Sequence, residues 1–204
     1  MKFFLISFFV SCLFNHKAFS LDTIAKQAIL YDYETKTIIF EKNSEELMSP
    51  SSMSKIMTIY YVFKKIKDGD LKLTDKFKVS KKAWKKGGSK MFVNVNTMVS
   101  VEDLIRGIIV QSGNDACIAI AEGISGSEAL FAEELNLLAK EIGMMNSTFT
   151  NSTGWPDPDH LTTIQDLLTL TVRTIEDFPE LYYYYAEKEF TSVSYTHLTL
   201  PTKA

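Results

Sequence analysis

The sequence predicts a single domain of α/β (α+β) type, in which strands come first and helices fill the middle. Residues 27–33 and 37–41 are short β-rich runs separated by a polar turn, and this pattern predicts a β-hairpin. From residue 50 onward, apolar residues mostly recur at three- and four-residue steps, as in amphipathic helices. The chain of 204 residues, 46% of them hydrophobic, is long enough to bury one sizeable core.

The first twenty residues have the pattern of a cleavable secretory signal. Lys2 gives a positive start, residues 3–14 are mainly apolar, and residues 18–20 (AFS) fit the small-x-small rule for cleavage. The apolar run is too short to span a bilayer stably. We therefore predict a signal peptide at residues 1–20 and an exported domain at residues 21–192.

Composition excludes several classes of protein. Charged residues make up 23% of the chain and the net charge is −3, which disfavours a disordered tail or a basic nucleic-acid binder. Two cysteines cannot form a disulfide scaffold, and the three histidines do not cluster with them in a metal-binding pattern. We expect no cofactor, no metal ion and no nucleic-acid partner. The apolar neighbours of Cys117 predict that its thiol is buried.

Punctuating residues mark the helix boundaries. Pro50 opens a helical run that stops at Asp68-Gly69, in keeping with the preference for Pro in the first turn and Gly past the last. Further helices are predicted to begin near Ser100, Asp115, Ser127 and Thr163. Residues 71–99 are predicted to be irregular chain with short strands, and residues 146–161 a loop.

The end of the chain does not continue this pattern. The run SVSYTHLTLPTKA, which begins at Ser192, has no clear period and resembles translated sequencing-adapter sequence. We predict that residues 193–204 are not native; the alternative is a natural frayed terminus. On this interpretation the later strands of the sheet are missing from the chain.

The strongest candidate for chemistry is Ser52-Met53-Ser54-Lys55. A serine and a lysine three residues apart share one face of a helix, so the hydroxyl and the amine can meet. A partly desolvated lysine can lose its proton and act as the base that activates the serine. Ser51 could also face Lys55, but next to Pro50 it fits a capping role. The geometry favours Ser52 as the nucleophile.

A second candidate is Ser112-Gly113-Asn114, which lies between two predicted helices. A serine hydroxyl there can relay a proton to a leaving group, and the asparagine amide can hold a substrate carbonyl or the lysine. By itself this motif is equally typical of an ordinary polar turn.

The two motifs together carry a resemblance to a known family. S-x-x-K, S-D-N and K-T-G are the motifs shared by penicillin-binding proteins and class A β-lactamases. The chain resembles the D-alanyl-D-alanine carboxypeptidases (serine peptidase family S11), the low-molecular-mass penicillin-binding proteins. The resemblance covers residues 25–192 and includes the blocks MSPSSMSKIMT, LIRGIIVQSGNDACIAIAE and MNSTFTNSTGWPDPDHLTTIQDLL.

The resemblance implies a β-lactamase/DD-peptidase-like fold, with an antiparallel sheet flanked by helices, and a role for each motif residue. Ser52 is implied to be the acyl-enzyme nucleophile, with its backbone N–H as half of the oxyanion hole, and Lys55 its proton acceptor. Ser112 is implied to assist proton transfer, and Asn114 to orient the substrate.

The implied function is a serine-type D-Ala-D-Ala carboxypeptidase acting on peptidoglycan stem peptides. β-Lactam antibiotics are then covalent inhibitors, and we expect the protein in the periplasm, with association of a full-length parent with the inner membrane left open. The alternatives are a serine β-lactamase of the same fold and a non-catalytic cell-wall-binding protein.

The chain departs from the family at its third motif. K-T-G, which in the family supplies substrate-carboxylate binding and the second oxyanion donor, does not occur in the sequence. We therefore expect the 204-residue product to be essentially inactive and prone to aggregate.

Three other features of the sequence have a structural interpretation. We predict that residues 133–136 are a solvated helix face, that the lysines of residues 72–90 are a solvated surface, and that residues 182–185 end a helix against the core.

Overall fold

The computed structural model describes residues 23–192 and 195–198. The predicted signal peptide and most of the predicted non-native tail lie outside the described residues. Within them the six strands are β1 Ala28–Asp32, β2 Thr37–Lys42, β3 Lys76–Lys78, β4 Met98–Ser100, β5 Glu189–Ser192 and β6 Tyr195–Leu198. The six α-helices are α1 Ser54–Lys67, α2 Lys81–Lys85, α3 Val101–Ile109, α4 Asn114–Ser125, α5 Glu128–Glu141 and α6 Ile164–Asp177.

The strands of the described residues form three separate antiparallel pairs, β1–β2, β3–β4 and β5–β6. The predicted hairpin is confirmed: Ala28 pairs with Lys42 and Asp32 with Thr37, with a register shift after Leu30. Strand β1 contacts α6, and an ion pair of 2.6 Å between Lys36 and Glu176 fastens the hairpin turn to that helix. No residue of either strand is buried.

The core is helical and is centred on α1 and α4. Helix α1 contacts α3, α5 and α6, and α4 contacts α3 and α5. Every residue from Ala116 to Ala121 is fully buried, Cys117 included, as its neighbours predicted. Three predicted helix starts are confirmed by side-chain caps, in which Ser100, Ser127 and Thr163 accept hydrogen bonds from the backbone three residues on.

Two local predictions are wrong. Residues 81–85 form α2, which is capped by Ser80 but is too short and too rich in lysine to show a helical period. Ser51 makes no capping hydrogen bond: the chain enters α1 through a 3-10 turn, Ser51–Met53, whose N-cap is Pro50.

The predicted solvated face on α5 is also wrong in part. Glu134 accepts hydrogen bonds from the hydroxyls of Tyr61 and Ser125, and the Asn136 amide exchanges two hydrogen bonds with the backbone of Phe149. Only Glu133 of the two acidic residues is exposed. These contacts fasten α5 to α1 and to the chain that follows residue 148.

Past α6, the chain forms a 3-10 turn, Tyr182–Ala186, and then β5. The prediction that residues 182–185 end a helix against the core is confirmed only in part: Tyr184 is fully buried, but Tyr182 and Tyr183 are exposed, and the segment is a 3-10 turn separate from α6. Strand β6, in the predicted non-native tail, pairs with β5. Among the helices in the described part of the chain, none is both long and apolar enough to cross a bilayer.

Candidate active site

The two residues of the first motif meet as their spacing predicted. The Lys55 ammonium donates a hydrogen bond to Ser52 Oγ at 3.0 Å, from the first turn of α1 back to the 3-10 turn before it. Ser52 is exposed, whereas Lys55 is 5% exposed. The site therefore has an accessible hydroxyl backed by a buried amine.

Burial prepares Lys55 to act as a base. Desolvation lowers the pKa of the Lys55 ammonium from its ordinary value, and no described carboxylate offsets that effect. The amine also donates to the carbonyl oxygen of Thr153 at 2.9 Å. The amine is thus held between the Ser52 hydroxyl and the Thr153 carbonyl.

The carbonyl of Thr153 belongs to the Gly154 loop, which we define as residues 150–155. Gly154 has a φ of +74°, and a Cβ there would collide with the carbonyl of Ser51, so glycine alone allows this close approach. The loop and the Ser52 turn (residues 50–55) are thus in direct backbone contact.

A buried carboxylate holds the Gly154 loop from behind. Glu128 accepts hydrogen bonds from the backbone N–H and the hydroxyl of Ser152, at 3.2 and 2.8 Å, and pairs with Lys82 at 2.7 Å. Burial raises the pKa of Glu128, but the bonds from Lys82 and Ser152 outweigh it and the net pKa is lowered. Thr58 on α1 donates to the Ser152 carbonyl at 2.8 Å, which closes the connection to the helix that carries Lys55.

His160 fixes the other side of the Ser52 turn. Its Nδ1 accepts the backbone N–H of Thr150 at 3.1 Å, and its Nε2 lies 2.8 Å from the hydroxyl of Ser54. Since that hydroxyl donates to the Ser51 carbonyl, it accepts from a neutral, Nε2-protonated imidazole. Burial lowers the pKa of His160, which favours this neutral form. Sequence reasoning missed both His160 and Glu128.

The second motif reaches the same site through Ser112. Ser112, in the left-handed region at φ +55°, lines a cavity of about 120 Å³ together with Ser52 and Lys55. The rest of the lining consists of four isoleucines and one tyrosine: Ile56, Ile59, Ile108, Ile109 and Tyr185. The structure thus brings three of the four predicted site residues together.

Asn114 follows Ser112 by two residues, at the start of α4, and is not part of the cavity lining. Its side-chain N–H donates to the carbonyl of Gly87 at 2.8 Å, and its backbone N–H to that of Ser89 at 2.8 Å. Trp155 covers the same glycine loop, with the Lys86 ammonium 3.9 Å from its ring centroid. The amide of Asn114 is therefore held against the loop of residues 86–90.

This arrangement can carry out acyl transfer through a serine. A hydroxyl bonded to a desolvated amine can lose its proton as it attacks a carbonyl, and a second hydroxyl in the same cavity can return a proton to a leaving group. The arrangement is therefore typical of enzymes that form an acyl-serine intermediate.

Comparison with known proteins identifies the family. Residues 15–202 match the model of peptidase family S11, described as D-alanyl-D-alanine carboxypeptidase, and the chain belongs to this family. The chain is 41% identical over 173 residues to D-alanyl-D-alanine carboxypeptidase DacC of Escherichia coli (strain K12), covering 82% of this chain and 43% of DacC. It is 38% identical over 143 residues to DacF of Bacillus subtilis (strain 168), covering 70% of this chain and 37% of DacF.

Solved structures agree. The D-alanyl-D-alanine carboxypeptidase DacD from Francisella tularensis superposes with a TM-score of 0.80 at 40% identity, over 83% of this chain and 41% of that one. Penicillin binding protein 5 from Haemophilus influenzae gives 0.82 at 37% identity, over 86% of this chain and 52% of that one. The predicted fold and family are confirmed, and the chain spans less than half the length of the curated relatives it matches.

Proposed function

We propose that this chain is the part of a D-Ala-D-Ala carboxypeptidase that contains the nucleophilic serine, Ser52. The whole enzyme would remove the terminal D-Ala from peptidoglycan stem peptides. The observation that carries the proposal is the 3.0 Å hydrogen bond between Lys55 Nζ and Ser52 Oγ in a site where Lys55 is buried. Membership of family S11 and relatives that are named as D-alanyl-D-alanine carboxypeptidases support the substrate class.

In the proposed reaction, Ser52 Oγ attacks the carbonyl carbon between the two terminal D-alanines as Lys55 takes the hydroxyl proton. The C–N bond breaks, and the leaving amine receives a proton through Ser112, which shares the cavity with both groups. Water then hydrolyses the ester on Ser52. The amide of Asn114, whose plane is fixed by the bond to Gly87, orients the substrate.

β-Lactams follow the same first step. Their strained amide presents a carbonyl to Ser52, and we propose that they form a covalent ester there. We further propose that the protein is exported by the signal peptide of residues 1–20 and acts in the periplasm, and that residues 193–204 are a non-native tail.

The test is to express the complete gene product and measure D-Ala release from diacetyl-Lys-D-Ala-D-Ala beside nitrocefin turnover. D-Ala release with slow nitrocefin turnover is the expected result. Fast nitrocefin turnover without D-Ala release would instead identify a β-lactamase. Neither activity, with no covalent penicillin adduct, would identify a non-catalytic cell-wall-binding protein.

A further inference from the structure

His160 lies between the two segments of chain that position the nucleophile and the base. On one side, its Nε2 is 2.8 Å from the hydroxyl of Ser54, in the first turn of α1. On the other side, its Nδ1 contacts residues 150 and 151 of the Gly154 loop. The ring itself is buried. A single imidazole therefore contacts both the Ser52 turn and the Gly154 loop.

The bond to Ser54 orients the peptide unit in front of the nucleophile. The Ser54 hydroxyl, which accepts from His160, donates to the Ser51 carbonyl oxygen at 2.8 Å. That carbonyl and the backbone N–H of Ser52 belong to one planar peptide, so a fixed oxygen also fixes the direction of the N–H. The resemblance to the D-alanyl-D-alanine carboxypeptidases implies that this N–H is half of the oxyanion hole. His160 therefore orients an oxyanion donor through Ser54.

The other ring nitrogen supports the loop that holds the base. Nδ1 lies 3.1 Å from the backbone nitrogen of Thr150 and 3.3 Å from the side-chain amide nitrogen of Asn151. The oxygen of that same amide accepts the backbone N–H of Thr153 at 3.1 Å. The carbonyl of Thr153 in turn accepts the hydrogen bond from the Lys55 amine. The contacts of Nδ1 thus lead to Lys55, as those of Nε2 lead to Ser52.

A second proton on His160 is incompatible with these contacts. It would sit on Nδ1, where it would face the backbone N–H of Thr150, which can only donate. Burial lowers the pKa of His160 from its ordinary value of 6.5, and Asp157 raises it by a smaller amount. The other charged groups beside these contacts are Asp159 in the loop and Lys55 on α1. The neutral ring is therefore the form that makes both sets of bonds.

We propose that neutral His160 is a positioning residue for acylation, and that its protonation at Nδ1 displaces the Ser51–Ser52 peptide and the Gly154 loop and so slows the reaction at acid pH. The inference rests on the proposed acylation of Ser52. It adds a residue that contacts neither the substrate nor the reacting atoms and acts through Ser54 and the loop.

The first test compares wild type with His160→Gln in the complete gene product. The rate constant for acylation by a fluorescent penicillin is measured from pH 8 to pH 4, and near-UV circular dichroism confirms that each sample is folded. The glutamine amide can donate to Ser54 in place of Nε2 and does not titrate. The ratio of the two rate constants cancels the titration of Lys55, which both proteins share.

We expect the ratio of wild type to His160→Gln to be constant above pH 6.5, where the imidazole is neutral. Below the folded-state pKa of His160, which burial places under 6.5, the ratio should fall about 10-fold for each pH unit, as for one inhibiting proton. A ratio that stays constant down to pH 4 in folded protein would overturn the proposal.

Two further variants test whether His160 acts through Ser54. The side chain of His160→Asn is neutral but too short to reach that hydroxyl, and Ser54→Ala keeps the ring and removes the hydroxyl. At pH 7.5 each should acylate about 10- to 100-fold more slowly than wild type, and His160→Gln within about 10-fold of it. Thr174→Ala, which removes a buried hydroxyl on α6, is the control and should lower Tm without changing the rate constant.

The outcomes separate this inference from the proposed function. An active wild type together with wild-type acylation by Ser54→Ala would overturn the role of His160 alone, even if neither His160 variant folds. Equal slowing by His160→Asn and His160→Gln, with equal falls in Tm, would show a merely structural residue. A wild type with neither D-Ala release nor penicillin acylation would overturn the proposed function, and this inference with it.

Discussion

The Ser52 turn and the β1–β2 hairpin are both local structures predicted from short sequence patterns, yet they differ in how the rest of the chain supports them. The Ser52 turn is held by the Gly154 loop, which accepts a hydrogen bond from Lys55, and by His160, which bonds to Ser54; both partners lie about a hundred positions away. The hairpin has no buried residue, and Ile39 of β2 is 61% exposed.

The Ser52 turn is therefore supported by distant residues of the chain, and the hairpin mainly by the pairing of its own two strands. The nucleophile and its base are assembled by helices and loops of the described residues, whereas the hairpin pairs only with itself among the described strands. We expect changes at the Ser52 turn to abolish chemistry, and changes in the hairpin to alter solubility.

The largest effect is expected at the base. Lys55→Arg in the complete gene product should slow acylation by a fluorescent penicillin about 10²- to 10⁴-fold, because a guanidinium cannot accept the serine proton. The wild-type rate should rise with pH and level off below the ordinary lysine value of 10.5, since burial lowers the pKa of Lys55. Lys64→Arg, on the surface of the same helix, is the control. Equal rates in the two variants would remove Lys55 from its role.

The second prediction concerns the β1–β2 hairpin, whose strands contain no buried residue. Residues 21–192 expressed alone should aggregate readily and release D-Ala from diacetyl-Lys-D-Ala-D-Ala at least about 100-fold more slowly than the complete gene product. The loss of a single oxyanion donor is enough for that factor. Soluble protein with the turnover of the complete gene product would show that the Ser52 turn needs nothing beyond residue 192.

A smaller effect is expected behind the Gly154 loop. Glu128→Gln should lower the free energy of unfolding by about 1–2 kcal/mol at pH 7, mainly through weaker bonds to Ser152, because Lys82 is largely exposed. The folded-state pKa of Glu128 lies below 4.5, so its stabilisation is present above that pH and disappears as pH falls through the folded value. Urea unfolding at pH 7 and pH 3 measures this, with exposed Glu133→Gln as control. A difference that persists unchanged at pH 3 would contradict the assignment.

The smallest effect on stability is expected in the hairpin. Ile39→Thr in residues 21–192 should change the free energy of unfolding by less than about 0.5 kcal/mol, yet raise the soluble fraction, because it places a hydroxyl on an exposed strand. Leu137→Gln is the matched control, since Leu137 is 71% exposed but lies on helix α5. If both changes improve solubility equally, the hairpin is not the particular source of aggregation.

Sequence reasoning predicted correctly those features that depend on residues close together in the sequence. The strand runs of the hairpin, the caps at Ser100, Ser127 and Thr163, and the three-residue spacing of Ser52 and Lys55 are all local signals. Each was confirmed as a structural feature.

It failed where function depends on distant contacts. The bond from His160 to Ser54 joins residues 106 positions apart, and Glu128 reaches Ser152 across 24. Neither a single histidine in a loop nor a glutamate at the start of a helix belongs to a sequence pattern from which its hydrogen-bond partner could be predicted. Tyr185 was assigned only to the core, because the cavity that this residue helps to line is formed by three separate segments of chain.

The central claim is that Ser52, activated by Lys55, is the nucleophile, and mapping a penicillin adduct tests it most directly. The complete gene product is incubated with benzylpenicillin, digested with trypsin and sequenced by mass spectrometry across residues 43–55. We predict one penicilloyl group on Ser52, none after Ser52→Ala, and an undiminished adduct after Ser51→Gly, a change that the φ of +49° at Ser51 tolerates. An adduct on any other residue, or one that persists in Ser52→Ala, would contradict the account.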